Sequence, residues 1–119
     1  MFLLAGFLIR EDEERGVKSL LYGEDIPVDK ILVETNGPFM FPQPEKAIFK
    51  PGIVERVSPQ AQQSWDMCQG GRNEPCALPL IIELVAGCLN RPASEVIEQT
   101  AQNAMSFFGL HKFANVNMR

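Results

Sequence analysis

The sequence is poor in the residues that most often build metal centres and disulfide frameworks. It has a single histidine, His111, which cannot form a zinc site alone. Its three cysteines contain no C-x-x-C pair, and their odd number indicates free thiols and no disulfide framework. Free thiols are typical of reducing compartments, so we expect an intracellular protein, cytoplasmic or nuclear.

Excess positive charge and long apolar runs are also missing. The 119 residues carry 11 Lys and Arg against 15 Asp and Glu, a net charge of −4, so the chain as a whole does not attract nucleic acid. Any phosphate contact must come from a local cluster or a metal. The apolar run at residues 2–9 is too short to span a bilayer, and it lacks the flanks of a targeting segment. We therefore expect no membrane partner.

The first third of the chain has the pattern strand, helix, strand. Residues 2–9 and 30–35 are apolar runs that predict buried strands. Gly23 is expected to end the intervening helix in the left-handed conformation. This order predicts parallel pairing of the two strands. The helix has a short apolar stripe at helical spacing: Val17, Leu20 and Leu21.

The second strand carries polar residues to its C-terminal end. Alternation places Leu32, Glu34 and Asn36 on one face of the strand. A carboxylate and an amide are therefore expected together at the C-terminal end of this strand, which we call its mouth. The Asn36-Gly37 pair also fits a type I′ hairpin turn. Pro38 would remove a donor from the returning strand, which makes the hairpin a poor fit. The alternative is an active-site loop.

Residues 37–71 are predicted to form a long irregular loop, because five prolines interrupt the segment. Its aromatic residues favour a loop packed onto the body of the domain, with a disordered insertion as an equal alternative. Residues 60–63 form either one helical turn or no regular structure. The scattered aromatic residues are Phe39, Phe41, Phe49 and Trp65.

Two helices are predicted after this loop. Apolar residues at helical spacing place the first at residues 78–89, with Pro79 in its first turn. The second follows Pro92, and Gly109 is expected to cap its C-terminus. We expect Asn103 to have a structural role and to form hydrogen bonds within the packed body of the domain. The two consecutive residues Phe107 and Phe108 are expected to belong to the core.

Three motifs occur in a fixed order. They are VETNGPF at residues 33–39, RNEP at 72–75, and TAQNA at 100–104 followed by FFGL at 107–110. Together they resemble the C-terminal part of the TatD family of metal-dependent deoxyribonucleases, which typically reads E-T-D-x-P, R-N-E-P, T-x-N-A and L-F-G-L. The resemblance implies an α/β fold, namely the last two strands and C-terminal helices of a partial (β/α)8 TIM-type barrel. Residues 1–110 would form this barrel portion and residues 111–119 a tail. The family resemblance of these motifs favours the active-site loop over the hairpin turn at residues 36–37.

The resemblance also implies a chemistry and shows where this sequence departs from it. Family enzymes use divalent metals (Mg, Mn or Zn) to activate water against a phosphodiester in DNA. Their ligands are an H-x-H pair, a Glu, two further histidines and the Asp of E-T-D. Here Asn36 occupies that catalytic, metal-binding Asp position, and the other ligands are absent. An amide carries no charge and is not a base, so we expect a truncated chain that binds metal weakly at best and is inactive alone.

Four further residues are predicted to bind substrate or to support the site: Glu34, Arg72, Asn73 and Glu74. Glu34 either orients groups around a metal or pairs with Arg72, since a buried carboxylate needs a partner. Arg72 suits bidentate phosphate contact. Alternatively, residues 72–75 cap the following helix and tie down the long loop, and both roles are compatible. The resemblance implies DNA as the substrate, and a partial barrel is expected to associate with itself or with a barrel homologue. The alternative function is a non-enzymatic interaction module built on the partial barrel.

Overall fold

A computed structural model describes residues 2–4, 17–35, 37, 39, 49–68 and 72–110. The regular elements are strand β1 (Phe2–Leu4), helix α1 (Val17–Tyr22), strand β2 (Ile31–Val33) and helices α2 (Pro59–Asp66), α3 (Leu78–Leu89) and α4 (Ala93–Phe107). Short 3₁₀ turns lie at Val28–Lys30, Val54–Arg56 and Pro75–Ala77.

The two strands pair in parallel. Phe2 lies opposite Ile31, and Leu4 lies opposite Val33. A parallel pair needs a crossover connection, and α1 lies in that connection. The strand, helix, strand prediction is therefore confirmed, although residues 5–10 lie outside the described part. The described strands form a two-stranded sheet, so the α/β architecture is shown and a closed barrel is not.

Helix α3 is the centre of the core, and its bounds agree with the prediction. Its buried residues lie on nearly every side, as expected of a helix with apolar residues all round. It contacts α1, α2, α4 and β2. The main buried residues packed around this helix come from three different parts of the chain: Leu21, Ile26, Ile31, Ile53 and Val96.

Three helices are followed, within two residues of their last residue, by a residue with positive φ. Glu24 (58°) follows α1, Asn90 (55°) follows α3, and Gly109 (68°) follows α4. After α4, the Leu110 amide donates to the Met105 carbonyl at 2.8 Å, the six-residue closure of a Schellman motif. The Gly109 cap is confirmed. The prediction for Gly23 is wrong by one residue, because Gly23 still belongs to the last helical turn and Glu24 takes the left-handed conformation.

The buried face of α1 differs from the predicted apolar stripe. Lys18 and Leu21 are fully buried, whereas Leu20 is 42% exposed. The Lys18 ammonium lies 4.7 Å from the centre of the Phe49 ring. A lysine can bury its aliphatic stem while an aromatic ring faces its charge, so Lys18 takes the place that Leu20 was expected to fill.

The segment at 37–71 is not irregular throughout, because it contains α2. The Ser58 hydroxyl accepts a hydrogen bond from the Ala61 amide at 3.1 Å, and Pro59 occupies the first helical position. Phe49 and Trp65 pack against the core, which supports the packed-loop alternative for residues 49–68. Phe39 is 68% exposed and is not an anchor. Phe41 lies outside the described residues.

Helix α4 has a narrow buried face. Val96, Thr100 and Asn103 are buried. Phe107 and Phe108 are 57% and 62% exposed, so the prediction that they belong to the core is wrong. The buried face ends at Asn103, and the last turn of α4 extends beyond it. The two rings instead contact each other edge to face, with centres 5.0 Å apart.

No single helix in the described part is both long enough and apolar enough to cross a membrane. The segments Pro75–Leu89 and Ala93–Phe107 meet the length and composition criteria only as a pair, and they are bent by 111° relative to each other.

Candidate functional site

The predicted site begins where β2 ends. Asn36, which was predicted to occupy the metal-ligand position, lies outside the described residues. Glu34 was expected to be buried and to need a partner, but it is exposed. Arg72 is exposed too, and it does not form the suggested ion pair with Glu34. In the part of the chain that the structure describes, the one ion pair joins Arg91 and Glu95 at 2.7 Å. A hydrated carboxylate needs no such partner.

Asn73 brings the first and second motifs together. Its side chain is 2% exposed, and its Nδ2 donates to the carbonyls of Thr35 and Phe39, the latter at 2.6 Å. These acceptors lie 38 and 34 residues earlier in the chain. The RNEP segment is therefore fixed against the loop that follows β2, as the family motif order led us to expect of residues around one site.

Gly37 allows this contact to be close. A β-carbon at position 37 would lie 2.5 Å from the backbone oxygen of Asn73, nearer than real β-carbons approach other atoms. Only glycine fits without moving one of the two segments. The two motifs are therefore packed backbone against backbone.

Asn103 performs a similar task at the other end of β2. Its Nδ2 donates to the carbonyls of Val28 at 2.9 Å and Ile31 at 2.8 Å, and its Oδ1 accepts from Gln99 at 2.8 Å. The expected structural hydrogen bonding of Asn103 is confirmed. One buried amide from each of the last two motifs thus holds β2, Asn103 at its beginning and Asn73 beyond its end.

The residues beside Asn73 face different surroundings. Arg72 is exposed next to the loop that Asn73 holds. Glu74 is half-buried, and its backbone carbonyl accepts from the Ala77 amide at 2.9 Å, which starts the 3₁₀ turn before α3. The RNEP segment therefore exposes its arginine and turns its asparagine inward.

Two cysteines meet the Glu74 carboxylate. The sulfur atoms of Cys68 and Cys76 are 3.2 Å apart, and one donor atom from each of the three residues lies within 4.8 Å of the others. Burial, and then contact with Cys76, raises the pKa of the Cys68 thiol to about 11. The sequence indicated ordinary thiols, and the spacing of Cys68 and Cys76 matches no familiar metal-binding signature. The packing of α2 against α3 brings these donors together.

The described residues do not fit the divalent-metal site that the resemblance implies. Among them, the Cys68, Glu74 and Cys76 group is the one place where three or more His, Cys, Asp or Glu donors converge. It does not include Glu34, and two of its donors are cysteine sulfur atoms, which suit zinc but neither magnesium nor manganese. The implied ligand set contains no cysteine, so this group is a different kind of site. No hydrolytic step is therefore assigned to a metal in this chain.

An apolar groove lies beside the mouth of β2, between this strand, α3 and α4. It has a volume of about 310 Å³. Its walls are Leu32, Val33, Glu34, Leu78, Ile82, Ile97, Thr100, Ala101, Ala104 and Phe108. Another cleft of about 390 Å³ lies near the start of α4 and contains none of the predicted site residues. The groove, with Glu34 on its wall, is therefore the cavity associated with the predicted site.

The sequence profile of one family, described as TatD related DNase, matches residues 3–109. The chain belongs to this family. Over 99 residues it is 33% identical to the 3′-5′ ssDNA/RNA exonucleases TatD of Erwinia amylovora and Erwinia tasmaniensis, and 31% identical to that of Pantoea vagans. Each match covers 83% of this chain and 31% of the relative. The chain thus spans about a third of the length of these curated TatD relatives. The resemblance inferred from the three motifs is confirmed.

Proposed function

We propose that this chain forms the part of a TatD-type nuclease that shapes the mouth of the active site and presents Arg72 to a nucleic-acid phosphate. The contact of Asn73 with the loop after β2 carries this proposal, because it fixes the exposed arginine next to the mouth. The TatD relatives are named for exonuclease action on single-stranded DNA and RNA, so the proposed ligand is the 3′ end of a single strand.

We further propose that the chain alone binds this ligand without hydrolysing it. Hydrolysis in this family depends on water activated by a metal, and Asn36 supplies neither charge nor a base at the ligand position. Among the described residues, Glu34 and Glu74 are the carboxylates next to the loop after β2. Glu74 lies with Cys68 and Cys76, and Glu34 alone would be a weak metal site. A guanidinium needs no metal to contact a phosphate.

The proposed architecture is the end of a TIM-type barrel, with β1 and β2 as its last two strands. The apolar groove beside β2 supports this placement, since Ile97 and Phe108 on its wall are 46% and 62% exposed. Exposed apolar surface of this kind usually marks a contact with more protein. We expect the chain to self-associate in light scattering, and to do so less when Phe108 is replaced by lysine. A monomer at every concentration would contradict this proposal.

Binding is tested by fluorescence anisotropy with a labelled single-stranded oligonucleotide and no metal. Losing one phosphate contact lowers affinity and reduces the slope of log affinity against log salt by about 0.7. We expect this reduction for Arg72→Ala. Arg56→Ala is the matched control, because Arg56 is also exposed and lies in a different part of the fold. Equal effects of the two variants, or no effect of Arg72→Ala, would contradict the phosphate contact.

Cleavage is tested separately, with a single strand labelled at its 5′ end and added magnesium or manganese. We expect no shortened products from the chain, and none from Asn36→Asp, because one restored carboxylate does not complete a ligand set. Cleavage by the wild-type chain that Asn36→Ala abolishes would show that the site is active.

A further inference from the structure

The Cys68, Glu74 and Cys76 cluster has the form of a binding site and not of three unrelated side chains. Cys68 follows the end of α2, where its amide donates to the Trp65 carbonyl at 3.0 Å. Cys76 lies in the 3₁₀ turn that leads into α3, and Glu74 immediately precedes that turn. All three residues are half-buried, so the donors lie at the ends of packed elements and are still reachable from solvent.

The sulfur-to-sulfur distance lies between the values that two chemical uses of this cluster require. Two thiolates bound to one tetrahedral zinc ion at about 2.3 Å are about 3.8 Å apart, whereas a disulfide requires about 2.05 Å. The observed distance is 3.2 Å. To hold zinc, the two sulfur atoms would need to move apart by about 0.6 Å. To form a disulfide bond, they would need to approach each other by about 1.1 Å. The nearby Glu74 carboxylate would be a third ligand of a zinc ion, whereas it takes no part in a disulfide bond.

We propose that Cys68, Glu74 and Cys76 bind a thiophilic divalent cation such as zinc. Two sulfur donors and one oxygen donor select zinc or cadmium over magnesium and manganese. Three protein ligands leave a fourth position for water. The bound ion would link the end of α2 to the start of α3, on either side of Arg72 and Asn73 in the sequence. This inference does not depend on the proposed nucleic-acid contact.

Zinc must compete with protons at this cluster. Zinc binds cysteine as the thiolate, so both thiols of the cluster must lose their protons. Metal binding therefore releases protons, as it does at other thiolate sites.

The test uses the full, reduced chain and cadmium chloride as the probe. We expect an ultraviolet thiolate-to-cadmium charge-transfer band that saturates at one ion per chain, and zinc should displace it competitively. Cys68→Ser and Cys76→Ser should each weaken binding by more than the roughly 10- to 100-fold typical of losing an outer-shell partner. Glu74→Gln should weaken it less and retain the band. Cys88→Ala is the control, because Cys88 is buried and lies outside the cluster.

A second measurement needs no variant. Zinc should slow the alkylation of Cys68 and Cys76 in the wild-type chain, as followed by peptide mass spectrometry, and leave Cys88 unchanged. The proposal is refuted if the band is absent or persists in Cys76→Ser, or if zinc protects neither cysteine. It is equally refuted if the reduced chain binds no ion and air oxidation instead joins Cys68 to Cys76 with the loss of two hydrogens.

Discussion

Replacing Asn73 by alanine removes both amide donors that fix the RNEP segment to the loop after β2. A hydrogen bond contributes about 0.5–1.5 kcal/mol net, and a buried acceptor left without a partner costs about 1–3 kcal/mol. The Thr35 carbonyl belongs to a half-buried residue, whereas Phe39 is exposed, so water can replace the second bond. We therefore expect Asn73→Ala to lower the free energy of unfolding by about 2 kcal/mol.

That loss is large enough to measure. It reduces the ratio of folded to unfolded chains about 30-fold, and in a domain of this size it lowers the melting temperature by roughly 6–12 °C. Urea unfolding followed by circular dichroism gives the free energy. Gln102→Ala is the matched control, because Gln102 is also an amide and is exposed on α4. We expect the control to change stability by less than about 0.5 kcal/mol.

Asn73→Asp separates the loss of the donors from the loss of packing. Aspartate has nearly the same shape, but at neutral pH its carboxylate would face two carbonyl oxygens and could donate to neither. Burial of a charge without a donor is costlier than a small cavity. We therefore expect Asn73→Asp to be less stable than Asn73→Ala at pH 7. Asn73→Ala within 0.5 kcal/mol of wild type, or Asn73→Asp as the milder change, would refute the reasoning.

Three further predictions concern other parts of the fold. Gly37→Ala should destabilise the chain by about 1–3 kcal/mol, as overpacking does, because its β-carbon would meet the Asn73 carbonyl; unchanged urea unfolding would contradict the close contact. Ser58→Ala should cost about 1–2 kcal/mol, because Ser58 caps α2 and donates to Glu83 at 2.8 Å; Gln62→Ala, an exposed change in α2, is its control. Burial raises the pKa of Cys88 from 9.0 to about 11. Between these values the folded chain retains a proton that the unfolded chain loses, so stability should fall with rising pH, and Cys88→Ala should flatten that slope in urea titrations.

The helices could be predicted where the signal is local. The bounds of α3 follow from apolar spacing together with Pro79 near its start, and both are visible in the sequence. The start of α2 was also readable, because Ser58 before Pro59 is a helix-capping pair. The prolines of the surrounding segment led us to expect an irregular loop instead.

The buried face of α1 and the cysteine cluster depend on contacts that are distant in sequence. Lys18 is buried because Phe49, 31 positions later, lies under its ammonium. A periodicity argument counts a lysine as polar and places Leu20 inward. Cys68 and Cys76 approach each other only because α2 and α3 are packed together. Neither result is available from spacing alone.

The site residues show why the motifs identified the family more readily than the activity. Asn73 and Asn103 both lie in motifs that define the resemblance, and each donates to two backbone carbonyls flanking β2. Their side chains therefore hold the scaffold, and Gly37 serves the same purpose by giving Asn73 room. Matching these positions is evidence for the fold and carries little information about catalysis.

Substitution by aspartate distinguishes the two roles that asparagine has in this chain. At position 36 we expect aspartate to restore the carboxylate of the family motif without restoring hydrolysis. At position 73 it replaces a buried donor by a buried charge and should loosen the whole mouth of β2. Asn36→Asp thus tests the proposed chemistry, while the same chemical change at position 73 should destabilise the fold. Much of the signature of a TatD-type nuclease in this chain is set by the packing of β2, because Asn73, Asn103 and Gly37 all serve that packing.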